Sequence, residues 1–322
     1  MSHHTPLDLQ NVVKQTSDTP HHARDLPAGG EGAPYKLVRL ANGAYSVHSS
    51  AERETFHPVI GPAAEAEALY IGQTGIRERL GGLQSGEEFV VWDVGLGAAA
   101  NVLFLLRATA QTRSKLRVLS FDKTTEPAWF ALRHHEELGY LGGYTDFLER
   151  VLKTEKEPEG DAWEGLHFVN GEQRLRWSLR VADFPALLRL KPKMEPPHLI
   201  LFDAFSPARN PDMWTLGLFQ NLRGFLADSR PCLMPTYSRS TMFRVTLLLA
   251  GFFVGKGRAT GEKEETTIAS NCREQIAFPL DHAWLERAAR STSAEPLREP
   301  IYRQQRLAPE TWEQLKAHPQ FA

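Results

Sequence analysis

The segment FVVWDVGLGAAAN, from Phe89 to Asn101, constrains the fold more than any other stretch. Its apolar run is too continuous for a strand with one wet face, so it reads as a strand buried on both sides. It ends on Asp93-Val-Gly95-Leu-Gly97 and passes into the helix-forming AAANVLFLLRATA. A buried strand, a glycine turn and a helix in this order suit an open parallel sheet covered on both faces. The rhythm recurs: LRVLSFD precedes EPAWFALRHHEEL, LRWSLRV precedes a short helix from Phe184, and HLILFD precedes PDMWTLGLFQNLRGFLA. PCLMPTY, the helix STMFRVTLLLAGF and the β-rich ETTIAS complete the series. The pattern predicts an α/β fold with a doubly wound, mostly parallel sheet.

That sheet domain is expected over 85–275. Residues 1–33 are polar and without periodicity, which predicts a disordered or loosely ordered tail. Residues 34–84 read as an N-terminal extension. Asn42-Gly43 lies between two strand-like runs and predicts a two-residue hairpin turn, and Pro62 opens a helix. The Arg-rich 276–322 reads as a basic C-terminal tail, helical only in part.

Composition narrows the function classes. A formal charge of -2 gives no global field for nucleic acid, so any such contact must come from a local patch. Two cysteines, Cys232 and Cys272, form neither a disulfide framework nor a zinc pattern and fit a reducing cytoplasm. The start lacks a signal-peptide pattern, and the greasy stretch from Val245 to Val254 is too short for a bilayer, so no membrane partner is expected.

The site is expected beyond the carboxyl ends of the strands. Gly95 and Gly97 let the backbone approach a ligand, and the helix after them begins near Asn101. Gly95-x-Gly97-x-x-Ala100 also matches a dinucleotide fingerprint. Asp93 favours S-adenosylmethionine over a dinucleotide, because a carboxylate there would repel pyrophosphate and attract an ammonium. Asp122 can accept two ribose hydroxyls in either case, with Lys123 beside it. Asp183 is either an adenine acceptor or a plain helix N-cap. A polar strand end at Asp93 and a capping acid at Asp122 are the plain structural alternatives. The pairs His21-His22 and His134-His135 read as non-functional; in the second pair, adjacent helix positions do not share a face and cannot easily chelate a metal.

With VGLGAAAN, SFDK, LFDAFSPARNPDMWT and GFFVGKGRATGEKEETTIAS in view, the chain resembles the MnmC-type methyltransferases in their stand-alone form. These finish 5-methylaminomethyl-2-thiouridine at the wobble position of tRNA. The resemblance spans roughly Asn42 to Asn271 and is most specific from Asp203 to Trp214. It implies a Rossmann-like methyltransferase sheet, S-adenosylmethionine, tRNA as partner, and a separate oxidase or modification enzyme acting on the same uridine. RETFHPVIGPAAEAEALYI is similar to the family's Glu-Thr-aromatic-His segment, which implies Glu54, Thr55, His57, Gly61 and Glu65 near the mouth, Glu65 on the cofactor side. Ala99 stands where the family has its third loop glycine, and Asp122 where it often has Glu.

Asp203 is the expected catalytic residue, accepting a hydrogen bond from the acceptor amine and steering its lone pair. Pro207 stiffens the loop, Phe205 and Trp214 are candidates to wall the uracil, and Arg209 and Asn210 are candidates to touch RNA. Core packing is the favoured alternative for Trp214. Phosphate contacts are sought among Arg209, Arg239, Arg244, Lys256, Arg258, Lys263 and the tail arginines, with Lys256 to Lys263 foremost. A small-amine methyltransferase, a dehydrogenase and a degenerate cofactor-binding module remain alternatives from the residues alone.

Overall fold

The computed structural model describes residues 33–84, 87–112, 114–154, 168–170, 173–260 and 264–322. Residues 1–32, the insertion-like stretch near Glu155 to Asp161, and Lys263 lie outside the described residues.

Strands β1 (Tyr35–Arg39), β2 (Tyr45–Ser49) and β3 (Glu54–Thr55) form a small antiparallel sheet. The turn between β1 and β2 differs from the expected two-residue form. Arg39 pairs with Tyr45, Gly43 N–H donates to Leu40 O at 2.9 Å, and Gly43 alone takes a positive φ of 85°. Ala41, Asn42 and Gly43 thus make a three-residue turn with glycine in the left-handed position. The helix Gly61–Ala66, a π-helical turn Glu67–Gly72 and the helix Ile76–Gly81 then lead to the main sheet.

That sheet contains β4 (Glu88–Val94), β5 (Lys115–Asp122), β6 (Phe168–Asn170), β7 (Gln173–Val181), β8 (Leu199–Phe202), β9 (Leu233–Thr236), β10 (Phe253–Gly257) and β11 (Thr266–Ser270). Their order is β10-β11-β9-β8-β4-β5-β7-β6. Strands β7, β5, β4, β8 and β9 run parallel, whereas β6 and β11 are antiparallel to their neighbours. The continuous apolar runs are explained by a core on each face. Val90, Trp92 and Val94 of β4 join one cluster with Ile200 and Phe202 of β8; Phe89, Val91, Leu199 and Leu201 join the other. Period-two alternation therefore sorts side chains between two cores, not between core and water.

The expected C-terminal tail is part of the second core. Leu280, Trp284, Leu285, Leu297, Leu315 and Phe321 are buried in it. The helices His282–Arg290 and Pro309–Lys316 carry these residues, and Asp281 caps the first through Trp284 N–H at 2.8 Å. Gln320 covers the outer backbone of β10 at Val254, accepting from its N–H at 2.7 Å and donating to its O at 2.8 Å, and Phe278 O covers Lys256 N–H at 2.9 Å. A covered sheet edge cannot recruit a foreign strand.

Candidate active site

Strand β4 has β5 on one side and β8 on the other, so the crevice for a ligand lies at this reversal, beyond the carboxyl ends of β4 and β8. The loops leaving these two strands touch there. Gly95 takes φ +96°, and a Cβ on it would stand 2.6 Å from Asp203 O. A side chain at Gly95 is therefore excluded by backbone. Gly97, at φ +51°, would place a Cβ 3.2 Å from the ring of Phe56. Its N–H donates to Asp122 Oδ2 at 2.9 Å, tying the glycine loop to the end of β5. Ala99 precedes the helix Ala100–Thr109 at φ +62°, a conformation that costs an L-residue about 1–2 kcal/mol. Its methyl group is thus felt in the backbone.

Asp203 follows β8 directly, and its N–H continues the ladder to Val94 O at 3.0 Å. Asn101, in the first turn of the helix after the glycine loop, donates from Nδ2 to Asp203 Oδ2 at 2.7 Å. Asn101 Oδ1 is buried with no partner among the described residues, a ready acceptor for a ligand donor. The N-terminal extension closes the other side. Glu54 of β3 accepts from Ser206 N–H at 3.1 Å and from the Ser206 hydroxyl. Phe56 meets Phe205 with ring centroids 5.3 Å apart. The Tyr237 hydroxyl holds Ala204 O at 2.9 Å, fixing the loop after Asp203. The resulting cavity of about 520 Å³ reaches from Lys123 and Asp122 past the glycine loop to Asp203 and Glu54.

Burial pushes the Asp122 carboxyl up, against hydrogen bonds from the backbone at Gly97, Thr124 and Lys123. At His57, burial opposes the charged form, but Glu65 and Asp203 outweigh it and raise the pKa. The cavity wall is acidic, which suits cationic ligands.

Glu54, Glu65, Gly95, Gly97 and Asn101 line the cavity, as do Asp122, Lys123, Asp203, Phe205 and Asn210. Asp93, Asp183, Trp214, Pro207, Arg209 and Gly61 do not. Asp93 is 1% exposed beneath the wall, where Ser120 Oγ donates to its Oδ2 at 2.7 Å. Strand alternation puts it on the sheet face that carries Phe89 and Val91, outside the cavity lining. Asp183 is the N-cap of the helix Phe184–Arg189, accepting from Ala186 N–H at 2.8 Å, and pairs with Lys123 at 2.9 Å. Its backbone neighbours Ala182 and Phe184 line the cavity instead. Trp214 is fully buried between Phe202, Phe243 and Tyr237, and its indole N–H holds Phe205 O at 2.8 Å. It shapes the loop from below and does not wall the cavity. Pro207 and the exposed Arg209 sit on the loop outside the lining. Arg244, expected among the phosphate contacts, is buried and spends its guanidinium on Glu265, Thr266 O and Thr267. Arg239, Lys256 and Arg258 are exposed, and Thr260, two residues beyond Arg258, lines the cavity.

Tyr237 was not among the expected site residues, and Phe56 and His57 had only the likeness of their segment. All three reach the cavity through long-range packing.

Residues 160–272 match a family described as S-adenosyl-L-methionine-dependent methyltransferase. A tRNA 5-methylaminomethyl-2-thiouridine biosynthesis bifunctional protein MnmC from Cupriavidus metallidurans is 28% identical over 252 residues, 73% of this chain and 34% of that protein. The protein of the same name from Methylibium petroleiphilum is 26% identical over 269 residues, 81% of this chain and 39% of its own length. The chain thus spans about a third of the length of these curated relatives. The crystal structure of MNMC2 from Aquifex aeolicus superposes with a TM-score of 0.63 at 20% identity, covering 88% of this chain and 84% of that one. This likeness establishes the fold.

Proposed function

We infer, from the match of residues 160–272 to the S-adenosyl-L-methionine-dependent methyltransferase family and the likeness to MnmC proteins, that this chain N-methylates an aminomethyl group on a modified wobble uridine of tRNA. The expected conversion is 5-aminomethyl-2-thiouridine to 5-methylaminomethyl-2-thiouridine. The observation that carries this reading is that the same cavity is lined by the carboxylates Asp203 and Glu54 and by the paired rings of Phe56 and Phe205. Carboxylates next to aromatic faces fit a cationic amine borne on a flat ring.

The residues around the glycine loop fit S-adenosylmethionine. The side-chain-free surface at Gly95 and Gly97, Asp122 at the end of β5 and the orphaned Asn101 Oδ1 would hold it, with Glu65 nearby. When bound, S-adenosylmethionine supplies an electrophilic methyl group on a sulfonium. The acceptor amine, with a pKa roughly like that of lysine near 10, arrives protonated and must lose a proton to attack. Asp203 accepts the hydrogen bond that orients its lone pair, and Asn101 keeps that carboxylate in place. Lys256, Arg258 and Arg239 are the exposed cations proposed to meet phosphates. A separate oxidase or modification enzyme acting on the same uridine is the proposed functional partner.

The test is incubation with labelled S-adenosylmethionine and tRNA lacking the final wobble methylation, followed by digestion to nucleosides. Label in the aminomethyl-uridine is expected, and its absence refutes the substrate. Asp203→Ala should lower methyl transfer by about 100-fold to 10,000-fold. Its affinity for S-adenosylhomocysteine, read by calorimetry, should stay within a few-fold. A small-amine substrate would show little loss of binding with added salt, whereas tRNA binding should fall steeply.

A further inference from the structure

The His57 imidazole is buried between two carboxylates. Its Nε2 lies 3.8 Å from Asp203 Oδ2, and its Nδ1 lies 3.6 Å from Glu65 Oε1. Nδ1 has no hydrogen-bond partner among the described residues. The backbone holds His57 at φ +47°, a left-handed conformation unfavourable for any residue with a Cβ. Strain of this kind persists where the surroundings over-determine it, and here they aim one ring at two acids. A histidine serving only as core would satisfy Nδ1 at hydrogen-bond distance, and the 3.6 and 3.8 Å gaps to the two acids must tighten with ligands bound before a proton passes.

We propose that His57 is a positioning residue that relays the acceptor's proton from Asp203 toward Glu65. This rests on the amine-acceptor reading given above. The ammonium N–H bond breaks and its proton passes to an Asp203 oxygen, leaving the electron pair on nitrogen as the nucleophile. The proton moves on to His57 Nε2, which restores the Asp203 carboxylate. The Nδ1 proton leaves toward Glu65 and then to water at the cavity mouth, and proton exchange with water returns the ring to its Nδ1–H tautomer before the next turnover. The ring must be neutral to begin. Glu65 and Asp203 favour its charged form, and two cationic ligands entering beside it oppose that charge. The other ionisable groups facing this cluster from packed elements are Glu54 on β3, Tyr70 on the π-helical turn, Asp93 on β4 and Tyr237 after β9. The two buried tyrosines stay neutral, because burial raises both far above their ordinary value.

The experiment compares kcat for the full chain and for His57→Gln from about pH 6 to about pH 10, the range spanning free histidine and the amine. Wild type should level off well below the amine's pKa. His57→Gln should fall about 100-fold behind at neutral pH and recover about tenfold per pH unit as free amine accumulates. Parallel profiles, offset by a constant factor, would mean a structural role and overturn the proposal. Unchanged binding of S-adenosylhomocysteine by His57→Gln reports that the variant is folded. NMR titration of the His57 ring separates this proposal from the substrate assignment, since it needs no acceptor. Asp203→Asn and Glu65→Gln should each lower the His57 pKa; a ring indifferent to both changes overturns the relay even if methyl transfer to the uridine is confirmed.

Discussion

The two segments flanking the sheet domain do opposite work. Residues 34–84 bring Glu54, Phe56, His57 and Glu65 to the cavity, whereas no residue of 276–322 lines it. The C-terminal segment instead buries Trp284, Leu315 and Phe321 in the second core and covers the β10 edge at Val254 through Gln320. Both segments looked like appendages. One completes the chemistry and the other completes the fold, and the difference follows from which end of the sheet each can reach. The N-terminal extension crosses the carboxyl ends of the strands, where ligand contacts form. The C-terminal segment packs beside an edge strand, where only apolar burial and backbone hydrogen bonds are available.

Variants on the two sides should therefore fail in different assays. The largest stability loss is expected from Trp284→Ala, about 3–5 kcal/mol by analogy with other buried aromatic truncations. Thermal melting should show it, while kcat/KM at a temperature where the variant is folded should match wild type. A cofactor-binding defect in the folded variant would break the division. Asp93→Asn probes the floor that both sides share. Burial, partly offset by the Ser120 hydrogen bond, raises the Asp93 pKa to about 7. The folded state thus holds its proton where the unfolded chain has lost it. Stability from this group is full below the ordinary carboxyl pKa and is lost as pH rises toward about 7. Asp93→Asn should flatten that decline and raise the melting temperature by several degrees at pH 8; an unchanged pH slope would show Asp93 to be ionised in the fold.

A smaller effect is expected on the N-terminal side. Glu54→Ala frees the loop at Ser206 and should raise the KM for the acceptor about tenfold, with little change in melting temperature. A large melting shift without a KM change would make Glu54 structural and erase the contrast. The smallest change is Ala99→Gly. Relief of the positive φ, worth about 1–2 kcal/mol, is partly offset by the greater unfolded-state freedom of glycine. A net gain below about 1 kcal/mol should appear in denaturant melts, without loss of cofactor affinity.

Local patterns carried the sheet. VVWDVGLG and HLILFD announced two-sided burial and two loops at strand ends, and the family resemblance placed Asp203 beside the glycine turn. The cofactor class was also readable, although the residue that pointed to it lies outside the cavity lining. Asp93 favoured S-adenosylmethionine on the argument of an ammonium contact, yet it lies under the wall with Ser120. The Trp214 spacing was equally visible, but only packing against Phe202 and Phe243 shows that it braces the loop from the core.

What the sequence determined by itself is the alternation of strand and helix, the glycine turn, the strand ending in Asp203, and through them the place of the crevice. These depend on periodicity and on backbone freedom, which act over a few residues. Only the tertiary structure decided that His57 stands between Asp203 and Glu65, that Phe56 reaches Gly97, and that Gln320 covers Val254, 66 residues away. Such contacts join segments whose approach is fixed by the packing of the whole sheet, and no local pattern encodes the distance between them.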